Sequence, residues 1–167
     1  MTVTYLSLGS NLGDRELYLK KALHGLEAHG IQILRSASLF ETEPKDVHDQ
    51  PWFLNTVVEA DTVLPAREVL KFCLDVEHDN QRLRTVPKAA RTLDLDIIFY
   101  GTEVVREAGL TIPHPRFSHR KFVLVPLAEL APAFIDPNSG KTILELLGLC
   151  EDASKIRLRR RIWFERD

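Results

Sequence analysis

The segment Arg91-Thr-Leu-Asp-Leu-Asp-Ile-Ile-Phe99 decides how this chain folds. Aliphatic residues alternate with aspartates in it, which predicts a β-strand whose successive side chains point to opposite faces of a sheet. Asp94 and Asp96 then share one face, roughly 7 Å apart. Two carboxylates on one face are oxygen ligands that suit Mg²⁺. The residues expected to face a hydrophobic core on the other side are Leu93, Leu95, Ile97 and Phe99.

A single Asp-x-Asp pair also fits two solvated side chains on a half-exposed strand. Aspartate is uncommon in strands, however, and two like charges on one face repel each other. A divalent cation would compensate both charges. The cationic residues just upstream favour this second interpretation, and we therefore predict a magnesium site at Asp94 and Asp96.

The segment from residue 82 to residue 91 is basic and contains no acidic residue. A solvated surface loop is one interpretation of such a run. A loop that closes over a triphosphate is the other, because arginine donates paired hydrogen bonds to phosphate oxygens and stays charged. We predict a mobile loop that binds nucleotide through its cations. These cations are Arg82, Arg84, Lys88 and Arg91.

The rest of the chain predicts alternating strands and helices around this segment. Strands are expected at 3–8, 31–40 and 53–63, and a short hairpin-like piece at 103–106. One helix is expected between Asp14, which can cap it, and Gly30, which ends it. Further helices are expected from Pro65 to about Asn80, at 122–130 and at 142–149. The order β-α-β-β-α-β predicts an α+β fold with a ferredoxin-like core and a C-terminal extension at about 137–167.

Length and composition are typical of a single globular domain. The chain has 167 residues, of which 44% are hydrophobic and 28% charged, and a formal net charge of −2. This balance gives no reason to expect general nucleic-acid binding, and we expect a monomer. No apolar stretch is long enough to span a membrane. Two cysteines without metal-ligand spacing favour a reducing cytoplasm.

Several further side chains are candidates for binding, each with a structural alternative. Glu77 follows the apolar stripe of its helix and would either end the helix or accept hydrogen bonds from a ribose. Phe53 and Asn55 share a strand face that suits a flat heterocycle, or they are a core aromatic and a structural amide. Thr42 would touch a ligand or end a strand. His114, in Pro-His-Pro, would contact phosphate or stiffen a turn.

The chain resembles the 6-hydroxymethyl-7,8-dihydropterin pyrophosphokinase family of folate biosynthesis. The resemblance runs from Val3 to about Asp136, and its six motifs occur in the family's order and spacing. These are the segments 8–13 (Leu-Gly-Ser-Asn-Leu-Gly), 40–44 (Phe-Glu-Thr-Glu-Pro), 49–55 (Asp-Gln-Pro-Trp-Phe-Leu-Asn), Glu77 with Arg82 and Arg84, 91–97 (Arg-Thr-Leu-Asp-Leu-Asp-Ile), and 112–115 (Ile-Pro-His-Pro) with 120–122 (Arg-Lys-Phe).

This resemblance implies transfer of the β,γ-pyrophosphate of ATP to the pterin hydroxymethyl group, with release of AMP. It implies a three-layer α/β sandwich with a ferredoxin-like core and mobile catalytic loops. Two Mg²⁺ ions would bind Asp94 and Asp96, with ATP as co-substrate, and Arg82 and Arg91 would assist transfer. ATP would contact Glu77, Arg84, His114 and Arg120. The pterin pocket would contain Thr42, Pro44, Phe53, Asn55 and Phe122, with the pterin between the two aromatic rings.

Some features depart from the family pattern. The segment 87–91 (Pro-Lys-Ala-Ala-Arg) is one residue shorter than in many members and lacks their tryptophan. The arginine-rich tail from Arg157 to Trp163 lies outside the shared pattern, and we expect it on the surface. Two other classes remain open at this point: a ferredoxin-like module that binds RNA, and a different ATP-dependent phosphotransferase acting on a related heterocycle.

Overall fold

A single antiparallel sheet organises the chain. The computed structural model describes residues 1–44, 49–80 and 92–164. The strands are β1 (Thr2–Ser10), β2 (Gln32–Ser36), β3 (Leu39–Thr42), β4 (Phe53–Thr62), β5 (Asp94–Tyr100), β6 (Val105–Glu107), β7 (Leu110–Ile112) and β8 (Ile156–Arg160). The helices are α1 (Arg15–Ala28), α2 (Ala66–Asp79), α3 (Lys121–Leu130) and α4 (Ile143–Leu149), with a 3₁₀ turn at Phe117–His119.

The strand order confirms the ferredoxin-like prediction. The main sheet runs β5-β1-β4-β3-β8, and β2 also pairs with β4. Every pairing in it is antiparallel. The two βαβ-like halves therefore interleave so that β1 lies between β4 and β5, which is the split arrangement of this fold. The strand β5, which carries the two aspartates, lies at one edge.

Helices cover both faces of the sheet, which gives the predicted three layers. On one face, α1 and α2 pack through Leu19, Leu23 and Val69 against strand residues such as Leu6 and Leu54. On the other face, α3 and α4 form a second cluster with the sheet. That cluster includes Tyr5, Val57, Ile98, Phe99, Val123, Leu124, Leu127, Ile143 and Leu146. The aspartates of β5 lie on this second face, beyond the end of the cluster.

The predicted limits of α1 are confirmed. The Asp14 carboxylate accepts a hydrogen bond from the Leu17 N–H at 3.2 Å, which satisfies an otherwise unpaired donor of the first turn. Beyond the last turn, Gly30 adopts φ +82°, a left-handed conformation that glycine reaches without steric cost. The strand at 53–63 and the helix at 65–80 also agree with β4 and α2 to within about a residue.

The predicted strand 31–40 is wrong, because two strands occupy this stretch. The chain breaks at Ala37 and Ser38, where the Thr56 hydroxyl lies 3.1 Å from the Ala37 carbonyl and 2.9 Å from the Ser38 carbonyl. The Ser38 N–H and hydroxyl both donate to Glu129 of α3. Side chains thus take over backbone partners that a continuous ladder would have used.

A β-bulge at Ile98 corrects the predicted direction of Phe99. Tyr5 of β1 pairs with Phe99 and Leu6 pairs with Ile97, so Ile98 is the extra residue. Leu95 and Ile97 face the α1/α2 layer as predicted. After the bulge, Phe99 faces the α3/α4 layer, where its ring lies 5.0 Å from Phe117 and 4.7 Å from Phe134.

The tail is part of the fold and not only a surface segment. Strand β8 extends the sheet beyond β3, with Arg157 opposite Glu41. Trp163 is 5% exposed, and its indole N–H lies 2.8 Å from the Ser36 hydroxyl and 3.0 Å from the Ala37 carbonyl. The arginines of β8 itself are exposed, as expected. Among the helices of the described residues, none is both long and apolar enough to cross a bilayer.

Candidate functional site

Asp94 and Asp96 lie together at the start of β5, as the alternation predicted. Both are partly exposed on the α3 face of the sheet. Their partners on β1 are Gly9 and Ser7, respectively. Both β1 partners are small residues.

The carboxylate pair fits a magnesium ion that is bound together with phosphate. Mg²⁺ in nucleotide sites takes one or two protein carboxylates and completes its octahedron with phosphate oxygens and water. Within 1–44, 49–80 and 92–164, no three His, Cys, Asp or Glu side chains form a metal-binding group. Two carboxylates are therefore the donor set that these residues offer, and it suits a metal delivered with its nucleotide.

Arg120 lies beside the carboxylates at the start of α3. Its Nη1 is 4.0 Å from the Asp96 Oδ2. The guanidinium also lies over the Phe122 ring, 5.5 Å from the ring centroid. Stacking on the ring restrains the cation. This places the predicted ATP contact and one predicted wall of the pterin pocket side by side.

His114 is held next to this group by backbone contacts. It follows a cis Ile112–Pro113 bond, and its N–H donates to the Ile98 carbonyl at 3.0 Å. Its Nδ1 accepts from the Arg116 N–H at 3.1 Å. Burial lowers the pKa of His114 to about 4, with Arg120 and Arg116 adding to the effect and Asp94 opposing it. The imidazole is therefore neutral at pH 7 and carries its proton on Nε2, as a donor suited to phosphate.

A cavity of about 260 Å³ opens beside the edge of β5. Its apolar wall comes from α2, β5 and the β6–β7 hairpin, and its polar side chains include one of the two carboxylates. The side chains that line it include Leu70, Leu95, Ile97, Leu110, Thr111, Asp96 and His114. Alternate residues of an edge strand direct N–H and C=O away from the sheet. The Leu95 N–H points away from the sheet, because it donates to Glu77. Ile97, two residues further along the strand, therefore directs its backbone groups to the same side, where the cavity lies.

Most of this cavity was not predicted from the sequence. Leu70 belongs to the apolar stripe of its helix, and Leu110 and Thr111 belong to a hairpin whose position depends on tertiary packing. The one available signal in the sequence was the position of β5. A strand that is followed by a short hairpin and by Pro-His-Pro has no following strand to pair with, so one of its edges stays open.

Glu77 connects helix α2 to this edge. It is 2% exposed, and its Oε2 accepts the Leu95 N–H at 2.8 Å. A buried carboxylate that accepts an edge-strand N–H aligns the helix with the strand. The structure therefore assigns Glu77 a structural contact that the sequence did not predict, and its contact with ATP stays a prediction.

The predicted pterin residues of β3 and β4 form a second group on the α3 face. Asn55 and Thr42 are both buried, and the Asn55 amide donates to the Thr42 hydroxyl at 2.5 Å. This orients the Asn55 Oδ1 toward Gly9, where a Cβ would collide with it. Phe53, opposite Thr42 in the ladder, is partly exposed. Pro44, two residues after Thr42, is buried.

One cross-strand row joins the two groups. Gly9 of β1 pairs with Asn55 of β4 on one side and with Asp94 of β5 on the other. Two strand spacings separate the outer residues, a distance of about 10 Å. Because Gly9 has no side chain, the Asn55 side chain can extend over it toward the carboxylate pair. A ligand with a flat polar ring at one end and phosphate at the other would fit along this row.

The cationic loop residues cannot be placed in this arrangement. Arg82, Arg84, Lys88 and Arg91 lie outside the residues that the structure describes. Their predicted contacts with phosphate stay predictions.

Comparison with known proteins gives consistent matches over most of the chain. The family described as 7,8-dihydro-6-hydroxymethylpterin-pyrophosphokinase (HPPK) matches residues 5–132. The 2-amino-4-hydroxy-6-hydroxymethyldihydropteridine pyrophosphokinase of Bacillus subtilis is 41% identical over 129 residues, which are 77% of this chain and 77% of that protein.

Longer proteins contain the same region. The mitochondrial folate synthesis bifunctional protein of Pisum sativum is 45% identical over 134 residues, or 80% of this chain and 26% of the pea protein. This chain thus spans about a quarter of that relative's length. A solved Plasmodium falciparum HPPK-DHPS chain with STZ-DHP has a TM-score of 0.74 at 16% identity, covering 89% of this chain and 45% of that one. At this low identity, the match to the Plasmodium falciparum chain shows a shared fold.

Proposed function

This chain belongs to the 7,8-dihydro-6-hydroxymethylpterin-pyrophosphokinase family, and from that membership we propose its reaction. It transfers the β,γ-pyrophosphoryl group of ATP to the hydroxymethyl group of 6-hydroxymethyl-7,8-dihydropterin, in folate biosynthesis. The products are the pterin diphosphate and AMP. The observation that carries the proposal is the row Asn55–Gly9–Asp94, which brings the buried amide and the carboxylate pair onto one face of the sheet.

The pterin is proposed to bind over β3 and β4. The Asn55 Oδ1 accepts hydrogen bonds from ring N–H groups, because its amide nitrogen is already used by Thr42. Phe53 and Phe122 lie on the same side of the sheet and offer the two aromatic faces between which a flat ring stacks. Pro44 completes this proposed pocket.

The nucleotide is proposed to bind along β5. Its base would enter the cavity beside Leu70 and Leu110, where apolar walls and the outward backbone of Ile97 suit an adenine ring. Its phosphates would then extend along the sheet toward Asp94 and Asp96. Arg120 and the neutral His114 would meet them there, and Glu77 with Arg84 would contact the rest of the nucleotide.

The chemistry is attack of a primary hydroxyl on the β-phosphorus, with cleavage of the bond to the oxygen that leaves on AMP. Such transfers depend on positioning and charge stabilisation more than on a strong base. Asp94 and Asp96 would hold two Mg²⁺ ions, which would supply Lewis-acid polarisation of the phosphates. Arg120 stabilises developing charge from the α3 side, and we propose that Arg82 and Arg91 do so from their loop.

The proposal extends to the cellular location and the oligomeric state of the protein. A cytoplasmic location agrees with the two free cysteines, Cys73 and Cys150. We propose that the chain acts as a monomer, since both halves of the site come from one sheet. Nucleic acid and membrane have no part in this function.

Product analysis tests the proposal directly. The purified protein is incubated with ATP, Mg²⁺ and 6-hydroxymethyl-7,8-dihydropterin, and phosphorus NMR follows the nucleotide products. We expect AMP and a pterin diphosphate in equal amounts. Formation of ADP would instead indicate a simple kinase, and no turnover with this pterin would contradict the proposed substrate. An inactive Asp96→Asn variant in the same assay excludes a contaminating activity.

A further inference from the structure

Glu41 of β3 links three segments that are distant in sequence. Its Oε1 lies 3.1 Å from the Arg15 Nη2 of α1, and its Oε2 accepts bonds from the Arg157 Nε and Nη2 of β8 at 2.9 and 2.7 Å. Arg15 also donates through Nη1 to the Trp52 carbonyl at 3.0 Å. The Arg157 guanidinium lies over the Trp52 ring, 4.6 Å from its centroid. We call Arg15, Glu41, Trp52 and Arg157 the Glu41 cluster.

The Glu41 cluster lies directly behind the proposed pterin pocket. Glu41 precedes Thr42 at the end of β3, and Trp52 precedes Phe53 at the start of β4. Thr42 and Phe53 are cross-strand partners, so the ends of both strands are fixed at the same level. Because successive side chains of a strand alternate, a residue held on the α1 face sets the direction of its neighbour on the α3 face.

The Glu41 carboxylate is the buried charge of this cluster, and two arginines bind it. The Glu41 side chain is 9% exposed. Its burial alone would raise its pKa, but hydrogen bonds from Arg157 and Arg15 outweigh burial and lower the pKa below its ordinary value. Glu41 is therefore ionised at neutral pH and binds both arginines as a permanent anion.

Within the Glu41 cluster, Arg157 contacts the side chain of Trp52, whereas Arg15 contacts its backbone. The Trp52 carbonyl accepts a hydrogen bond from Arg15, and the stacked Arg157 guanidinium restrains the indole plane. We propose that Arg157 is a positioning residue for the pterin pocket: through Glu41 and Trp52 it fixes the strand ends that present Thr42 and Phe53. This inference rests on the proposed function and concerns the substrate-binding half of its site.

We expect replacement of Arg157 to leave the fold intact. Glu41 keeps its bond to Arg15 and its proximity to Arg159, whose Nη1 is 3.8 Å away, so no buried charge is stranded. The β8 ladder uses backbone groups, and Trp163 remains anchored beyond it. The Arg157 side chain is 67% exposed, and its removal opens no cavity.

The first test separates substrate binding from turnover. For Arg157→Ala we expect the KM for the pterin to rise about tenfold, as for the loss of a stacked, charge-assisted contact. We expect the KM for ATP and kcat to change less than twofold. Arg157→Lys keeps the positive charge beside Glu41 and should recover part of the loss in pterin KM.

A matched control comes from the same strand. Arg160 also binds an acid of α1, with its Nη1 3.1 Å from Glu16, but it lies at the other end of β8, opposite Leu39 and not Glu41. Arg160→Ala should leave both KM values unchanged. An unchanged pterin KM in Arg157→Ala, equal rises in both KM values, or the same defect in Arg160→Ala would overturn the inference.

A second readout does not depend on activity. Trp163 is buried, so acrylamide quenching of indole fluorescence reports mainly on the partly exposed Trp52. We expect stronger quenching in Arg157→Ala than in the wild type or Arg160→Ala, and equal quenching in all three would contradict the positioning role. If the wild type made no pterin diphosphate, the proposed function would fail, while the quenching comparison would still decide whether Arg157 fixes Trp52.

Discussion

At the scale of single residues, Asp96 combines two contacts that bear on phosphate chemistry. It lies on the same strand face as Asp94 and within 4.0 Å of the Arg120 guanidinium. For Asp96→Asn we expect turnover to fall about a thousandfold, because a neutral amide binds Mg²⁺ poorly and each tenfold loss corresponds to about 1.4 kcal/mol. Steady-state kinetics would measure the loss of turnover, and calorimetric titration with Mg²⁺-nucleotide would measure the weaker binding of the metal complex.

The control for this substitution is Glu103→Gln, an exposed charge beyond the far end of β5. It should retain wild-type turnover, and both variants should unfold at the wild-type temperature. Near wild-type turnover of Asp96→Asn would refute a metal-binding role for this carboxylate.

His114 offers a spectroscopic prediction. Burial and two neighbouring arginines hold its pKa at about 4, below the ordinary 6.5. In the protein without Mg²⁺, NMR should show a neutral imidazole with its proton on Nε2 from pH 7 down to about 5. Arg120→Ala should move the titration upward. A midpoint near 6.5 in the wild type would contradict the described environment.

The same shift has a defined sign for stability. The unfolded chain binds a proton at His114 near pH 6.5, whereas the folded chain binds it only near pH 4. Folding stability is therefore lost as the pH falls from 6.5 toward 4. His114→Gln should reduce the slope of unfolding free energy against pH in this window, as measured by urea denaturation.

Sequence reasoning at the residue scale was successful where it used alternation along a strand. It placed Asp94 with Asp96 and Phe53 with Asn55, and the structure confirms both pairs of faces. It did not predict the contact between Arg120 and Asp96, because that contact depends on how α3 docks on the sheet. Nor did it predict that the Asn55 amide nitrogen is occupied by Thr42.

At the scale of secondary-structure elements, β1 determines how the two halves of the site align. Gly9 is its only residue in the row between Asn55 and Asp94. For Gly9→Ala we expect the added Cβ to displace the Asn55 side chain, since it would meet Oδ1 at less than contact distance. The pterin KM should rise about tenfold or more, as expected for a misplaced hydrogen-bonding group.

The nucleotide half should be spared in this variant. Calorimetry with Mg²⁺-ATP alone would give wild-type affinity for Gly9→Ala, and Gly148→Ala, where the added atom meets open space, would serve as control. Equal weakening of ATP and pterin binding would show that the substitution distorts the sheet as a whole.

Element boundaries were predictable where local chemistry sets them and not where tertiary contacts do. Asp14 and Gly30 bound α1 through a side-chain cap and a left-handed turn, both visible in the sequence. The break between β2 and β3 arises from Thr56 and Glu129, which are distant along the chain. The bulge at Ile98 likewise depends on pairing with β1, so strict alternation misplaced Phe99.

At the scale of the whole molecule, the C-terminal tail adds the edge strand β8 to the sheet and contributes Trp163 to the core under α1 and α2. Trp163 packs in the same cluster as Leu6 and Leu23 and uses its indole N–H inside the protein. Trp163→Ala should lower the free energy of unfolding by about 3–5 kcal/mol, the usual cost of truncating a buried tryptophan. Trp163→Phe should cost less, because only the hydrogen bonds and part of the ring are lost.

Urea denaturation followed by far-ultraviolet circular dichroism would measure both variants. Ile162→Ala, at an adjacent exposed position, provides the control and should be nearly neutral. A loss below about 1 kcal/mol for Trp163→Ala would indicate that the tail is only loosely attached. The sequence could not reveal this docking, because β3 and β8 pair across more than a hundred residues and share no local pattern.

The row Asn55–Gly9–Asp94 lies on β4, β1 and β5, and these three strands also contribute side chains to both hydrophobic clusters. A ligand that binds only the folded domain stabilises that domain, by an amount that grows with the ratio of ligand concentration to Kd. Thermal-shift screening should consequently detect small molecules that bind at either end of this row, and compounds that raise the melting temperature additively with nucleotide would identify the pterin end.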